Sequence, residues 1–120
     1  MELLPQFNFW LEREGEVALS LWRIRLLEAI GRTGSISAGA AEMDVPYRIA
    51  WQKIHEMETR LGRQLVQTRT GGRAGGGASL TPLAEGVIGR FNQLSQELDD
   101  LLQTRYSALF GDIDTGLPTE

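Results

Sequence analysis

"SISAGAAEMDVPYRIAWQKIHEMETRLG", residues 35–62, contains two helical patterns with almost no chain between them. Ser37 is placed to cap a short helix running to about Met43, and Val45, as the residue before a proline, is pushed out of the α region. Pro46 suits the first position of a second helix. Asp44 falls where the turn between them calls for a positive φ, which aspartate tolerates better than most side chains. In the second helix Ala50, Ile54, Met57 and Leu61 form one apolar stripe, while Arg48, Gln52, His55 and Thr59 fall on a polar face. Trp51, beside the stripe, is expected in the core. Gly39, Ala40 and Ala41 lack bulk, so the first helix can cross its neighbour closely and steeply. Two readings stand at this point: an ordinary helical hairpin within a core, or a helix-turn-helix whose second helix offers Tyr47, Arg48, Gln52 and Lys53 to base edges and phosphates.

The flanking sequence bears on that choice. After Gly62, "RQLVQTRT" reads as a strand and "ASLT" as its return, and between them lies a loop rich in glycine with Arg69 and Arg73, giving a wing over residues 64–81. The loop lacks the lysine and the strand-to-helix setting of a nucleotide cradle. It is either an idle flexible hairpin or a backbone-contacting wing. Upstream, "FNFWLEREGEVAL" alternates apolar and polar residues around a turn, predicting a β-hairpin over 7–19, and Ser20 caps a helix of roughly 21–32. Downstream, Thr81 caps and Pro82 starts a long helix through Phe110. Its apolar residues Val87, Phe91, Leu94, Leu98, Leu101, Leu102, Tyr106 and Leu109 keep helical spacing, and the 29 residues from Pro82 to Phe110 run roughly 43 Å, at about 1.5 Å per residue. A seam of that length outruns a small globule and calls for a partner, of which a second copy is the simplest. Residues 111–120 are a polar tail.

Charge is sorted along the chain. The net charge is −4, yet from Arg60 to Thr81 there are four arginines and no acid, whereas the segment after Thr81 is acidic. A local positive field can attract phosphates despite the negative total. With no cysteine and a single histidine, the 120 residues offer no thiolate site, no disulfide and no metal cluster, and no cofactor is expected. Asp99 and Asp100 are neighbours on a helix and read as a solvated face rather than a catalytic pair; His55 has no evident partner. No catalytic residue is assigned. No apolar run approaches the ~20 residues of a membrane span, and the amino terminus has no basic region of a signal peptide, so a soluble cytoplasmic protein is expected.

"GSIS.GAA", "Y..AW..I.EM" and "GG..GGGA.LT" together resemble the amino-terminal domain of the molybdate-responsive (ModE-type) transcriptional regulators, itself similar to that of LysR-type regulators. The likeness spans roughly residues 7–110. It implies a mainly α fold with small β: a winged helix-turn-helix over residues 1–81, with the motif at 37–61, followed by a dimerisation helix at 82–110. It also implies a homodimer on double-stranded DNA. By position, Ser35 and Ser37 would neighbour phosphates, and Tyr47, Arg48 and Gln52, with Pro46 and Lys53 beside them, would face the groove. Arg69, Thr70, Gly71, Gly72 and Arg73 would form the wing contact. Asp44 departs from the glycine common in that family's turn. Full-length members continue into a molybdate-binding module, and since the sequence stops at Glu120, no small-molecule effector site is expected within it; any link to molybdenum would lie in the genes controlled. An alternative of another class remains: a winged-helix adaptor that pairs its long helix with that of a full-length regulator.

Overall fold

Several connections in this chain, those from β1 to β2, β2 to α1, α1 to α2 and β4 to α4, take two residues or fewer, and the local chemistry shows how. The computed structural model describes residues 3–70 and 76–113. In chain order the elements are β1 (Trp10–Arg13), β2 (Glu16–Ser20), α1 (Leu21–Thr33), α2 (Ile36–Glu42), α3 (Tyr47–Leu61), β3 (Val66–Arg69), β4 (Gly77–Leu80) and α4 (Pro82–Phe110). The fold is mainly helical with two small antiparallel hairpins, a winged helix-turn-helix followed by a long carboxy-terminal helix. It divides into two compact units, residues 9–90 and residues 1–8 with 91–120.

In the larger unit, β1 and β2 turn through Glu14 and Gly15, both at positive φ, the combination a two-residue hairpin needs to match strand twist. Phe7 and Phe9 lie before the first strand, so the hairpin is shorter than its alternation suggests. The Ser20 hydroxyl accepts from the Arg23 amide and caps α1. At the other end Gly34 adopts φ 84° and donates to the Ile30 carbonyl. The chain then re-enters a helix at once. That leaves Ser35, not Ser37, as the cap of α2: its extended backbone brings the hydroxyl to 2.9 Å from the Ala38 amide, and Ser37 sits exposed in the first turn.

Asp44 takes φ 60°, as its position in the turn demands. Pro46 stands just outside α3 with ψ 151°, as its N-cap, and its carbonyl accepts from Ile49 and Ala50. Ala50, Ile54 and Met57 are buried while Leu61 is half-buried, because α3 is ending there at Gly62. Trp51 corrects the expectation of a core residue. Rotated about a hundred degrees from Ala50, it leaves the stripe, remains 50% exposed and stacks on His55 four residues on, with ring centroids 5.1 Å apart. Ile24, Leu26, Leu27 and Ile30 of α1 supply the fully buried centre, joined by Met57 and Leu65.

In the smaller unit, the amino-terminal segment is tied to α4: the Tyr106 hydroxyl donates to the Leu3 carbonyl and Gln103 donates to that of Pro5. Tyr106 also stacks on Phe110. Of the expected tail, residues 114–120 lie outside the described residues.

A Cβ on Gly39 would stand 2.7 Å from Ile30 Cγ1 and 3.1 Å from the Ile30 amide nitrogen. Gly39→Ala gains up to about 1 kcal/mol of helix propensity. Forcing α2 off α1 costs about 1–3 kcal/mol, so the crowding wins, and chemical denaturation should show a net loss of stability.

Candidate nucleic-acid interface

Three elements of the larger unit, the start of α2, the start of α3 and the wing, converge on one surface because side chains and backbone fasten the wing to the helices. The Ala78 amide of β4 donates to the Gly34 carbonyl at 2.8 Å, fixing one strand beside the start of α2. The Glu58 carboxylate, near the end of α3, accepts from the amides of Leu65 and Val66 at 2.8 and 3.0 Å. Thr81 closes the base: its amide donates to Leu65, its hydroxyl donates to the Gln64 carbonyl, and the same oxygen accepts from Ala84 to cap α4.

Between these elements lies a concavity of about 230 Å³ lined by Ser35, Ser37, Tyr47, Arg69 and Gly77, among others. Four of the residues expected at a phosphate or groove contact therefore share one wall. Pro46, Arg48 and Gln52 are exposed along the adjoining start of α3, and Thr70 is exposed beside Arg69. Tyr47, Trp51 and His55 recur every four residues, so the exposed strip of α3 combines aromatic and polar side chains. Gly71, Gly72 and Arg73 lie outside the described residues.

The cations divide into two sets. Arg23, buried on α1, donates to Glu56 at 2.9 Å; Arg60 and Lys53 stand 3.6 and 3.7 Å from the same carboxylate. Arg60 also donates to the Val17 carbonyl and pairs with Glu16, tying α3 to the first hairpin. Lys53 is therefore half-buried in a cluster internal to the chain, apart from the concavity. By contrast, among the described residues no acidic side chain forms an ion pair with Arg48, Arg63 or Arg69. Burial alone would push the Glu56 carboxyl up, but the Arg23 hydrogen bond and the charges of Lys53, Arg23 and Arg60 outweigh it and hold it below its ordinary value. Glu56 and Glu58 were not legible as support residues, since their partners are supplied by other elements.

On α4, Leu94, Leu101 and Leu109 are exposed, the last two at 58% and 59%, while Val87, Leu98, Leu102 and Tyr106 are half-buried. Phe91, only 3% exposed, is already covered within one chain. Among the described residues no group of acidic or histidine side chains could hold a metal ion, and no helix is long and apolar enough to cross a membrane.

Residues 21–85, which comprise the three helices, the wing and the first turn of α4, match the model of the bacterial regulatory helix-turn-helix proteins of the lysR family. The chain belongs to that family. It is 42% identical over 94 residues to the molybdenum-pterin-binding protein MopB of Rhodobacter capsulatus, covering 78% of this chain and 34% of that protein. It is 40% identical over 99 residues to the transcriptional regulator ModE of Yersinia pestis, covering 82% and 35%. The chain thus spans about a third of the length of these relatives. Among solved structures, the CbnR DNA-binding domain in complex with DNA matches with a TM-score of 0.54 at 20% identity, over 72% of this chain and 94% of that one, a likeness of fold. The family model, the ModE relative and the CbnR domain are those of regulators or a DNA-binding domain, not of enzymes, and they do not favour the adaptor alternative.

Because the folded Glu56 carboxyl titrates below its ordinary value of 4.5, its contribution to stability is present above that pH and is lost as pH falls through the lower folded value. Denaturation midpoints followed from pH 6 to pH 3 should therefore fall more gently for Glu56→Gln than for the wild-type chain, though from a lower start.

Proposed function

We propose that the chain is a sequence-specific DNA-binding transcriptional regulator that acts as a homodimer in the cytoplasm, without a cofactor. In this reading α3 enters the major groove of a pseudo-palindromic site and the wing lies on the flanking backbone. The observation that carries the reading is the meeting of Ser35, Ser37, Tyr47 and Arg69 around one concavity beside the exposed start of α3. A helix presents base-reading side chains there while a hairpin reaches the backbone, which is the division of labour that groove recognition uses.

Arg48 and Gln52 are assigned to base edges, with Tyr47 and Trp51 adding apolar surface against the groove wall. Pro46 fixes the entry of the helix. Ser35 and Ser37 are placed at one phosphate, and Arg69, Thr70, Gly71, Gly72 and Arg73 at the next stretch of backbone. Lys53 is left a minor role, since Glu56 already holds it. The second copy is proposed to cover Leu94, Leu101 and Leu109, with Val87, Leu98, Leu102 and Tyr106 at the margins; Phe91 supports that face from beneath. Leucines this exposed on a long helix are costly to leave in water, at about 25 cal/mol per Å² of apolar surface. Molybdenum-related genes are proposed as the targets, supported by the name of the molybdenum-pterin-binding relative MopB.

DNA selected from a random pool, followed by titration against salt, tests the reading. If Arg69 and Arg73 of each subunit neutralise one phosphate apiece, log K should fall against log salt with a slope of about −3.6, from ~0.9 per phosphate; a slope shallower than about −2 rejects the interface. Arg48→Ala should flatten the sequence preference of the selected pool, whereas Arg69→Ala should weaken all sequences alike. Leu101→Glu should convert a sedimenting dimer to a monomer and abolish retention of a two-half-site duplex while leaving the helical circular dichroism unchanged.

A further inference from the structure

Gly77 stands at an ordinary strand position: it begins β4, its φ is not positive, and nothing in its backbone conformation calls for glycine. Its side of the ladder explains it instead. Gly77 is the cross-strand partner of Arg69, the last pair before the wing tip. A Cβ built there would meet the Arg69 guanidinium, at 2.6 Å from Nη2 and 3.1 Å from Cζ, and would approach the Gly34 carbonyl oxygen at 3.3 Å. Side chains directly opposite each other in an antiparallel pair share one face, so the guanidinium occupies the space where a side chain would be. That space borders the concavity lined by Ser35, Ser37 and Tyr47.

We infer that Gly77 is a positioning residue: its missing side chain forms the seat that holds the Arg69 guanidinium at the mouth of the concavity, aimed at a DNA phosphate. The inference rests on the DNA-binding reading above and adds to it the reason one wing cation is held in place. An arginine at a hairpin tip otherwise has rotamer entropy to lose on binding. Lying across the opposite backbone restricts it in advance, and a planar fork so placed can offer two parallel N–H groups to a phosphate. The separation of roles is physical. The atoms a Cβ would displace are chiefly the far end of a flexible side chain, so the strand can accept alanine while the guanidinium cannot keep its place.

The test uses the full chain and the duplex selected by the wild-type protein. Gly77→Ala should melt at the wild-type temperature yet show a log K against log salt slope shallower by about 1.8, the loss of one phosphate of ~0.9 on each of two subunits. Arg69→Gln should show the same slope, and adding Gly77→Ala to it should change nothing more. If Gly77→Ala instead melts early, Arg69→Ala in the same chain should restore the melting temperature by removing the clash; failure to restore it overturns the seat. A wild-type slope for Gly77→Ala, or a further loss when it is added to Arg69→Gln, also overturns it while leaving the DNA-binding reading intact. Absence of any selected duplex for the wild-type chain overturns both.

Discussion

The wing is useful only if it is held at a fixed angle to α3, and a carboxylate at the end of α3 anchors it there. Glu58 accepts two successive amides, those of Leu65 and Val66, at the point where the chain leaves α3 for β3. Charge-assisted bonds of this kind are stronger than neutral ones, and they satisfy two amides at the start of a strand that the short hairpin itself does not reach. Thr81 completes the joint by bonding back to Gln64 and Leu65 while capping α4. Three elements thus meet in one polar knot around the buried side chain of Leu65. Without it, Arg69 and the start of α3 would face the same solvent but would not form one surface.

A second constraint governs the electrostatics. The chain is acidic overall, so its cations have to be assigned as well as counted. Arg23, Lys53 and Arg60 converge on Glu56 and serve the contact between α3, α1 and the first hairpin. Arg48 and Arg69 are left facing outward beside the concavity. Exposed cations without an acidic neighbour keep their full field toward a polyanion, whereas a cation already paired must give up that pair before it can contribute. The internal cluster also fixes the long axis of α3 against α1, so the same acid that removes Lys53 from the surface steadies the helix that presents Arg48 and Gln52.

The two units differ in how completely they cover themselves. Residues 9–90 bury their apolar side chains around α1, with Ile24, Leu26, Leu27 and Ile30 almost wholly withdrawn from water. In the other unit, the amino-terminal segment caps part of α4 through Leu3 and Pro5, yet Leu101 and Leu109 remain in solvent. That face is the one the proposed second copy would cover.

What the residue order settled was whatever depends on neighbours in the chain. The helix from Pro82 to Phe110 was readable from spacing and a proline at its start, the positive φ of Asp44 from the tightness of the turn, and the wing from strand chemistry on either side of the glycines. The cap of α2 was displaced by two residues because two serines compete for it, and only the closeness of Gly34 to the new helix selects Ser35. Trp51 was misplaced since periodicity distinguishes faces no better than one residue either way, and a stack with His55 satisfies it in the open. The Glu56 cluster, the Glu58 joint and the nesting of Arg69 on Gly77 were beyond reach of the sequence. Each joins side chains to partners that lie on other strands or helices, and such partners acquire a distance only when the hydrophobic core has brought their elements together.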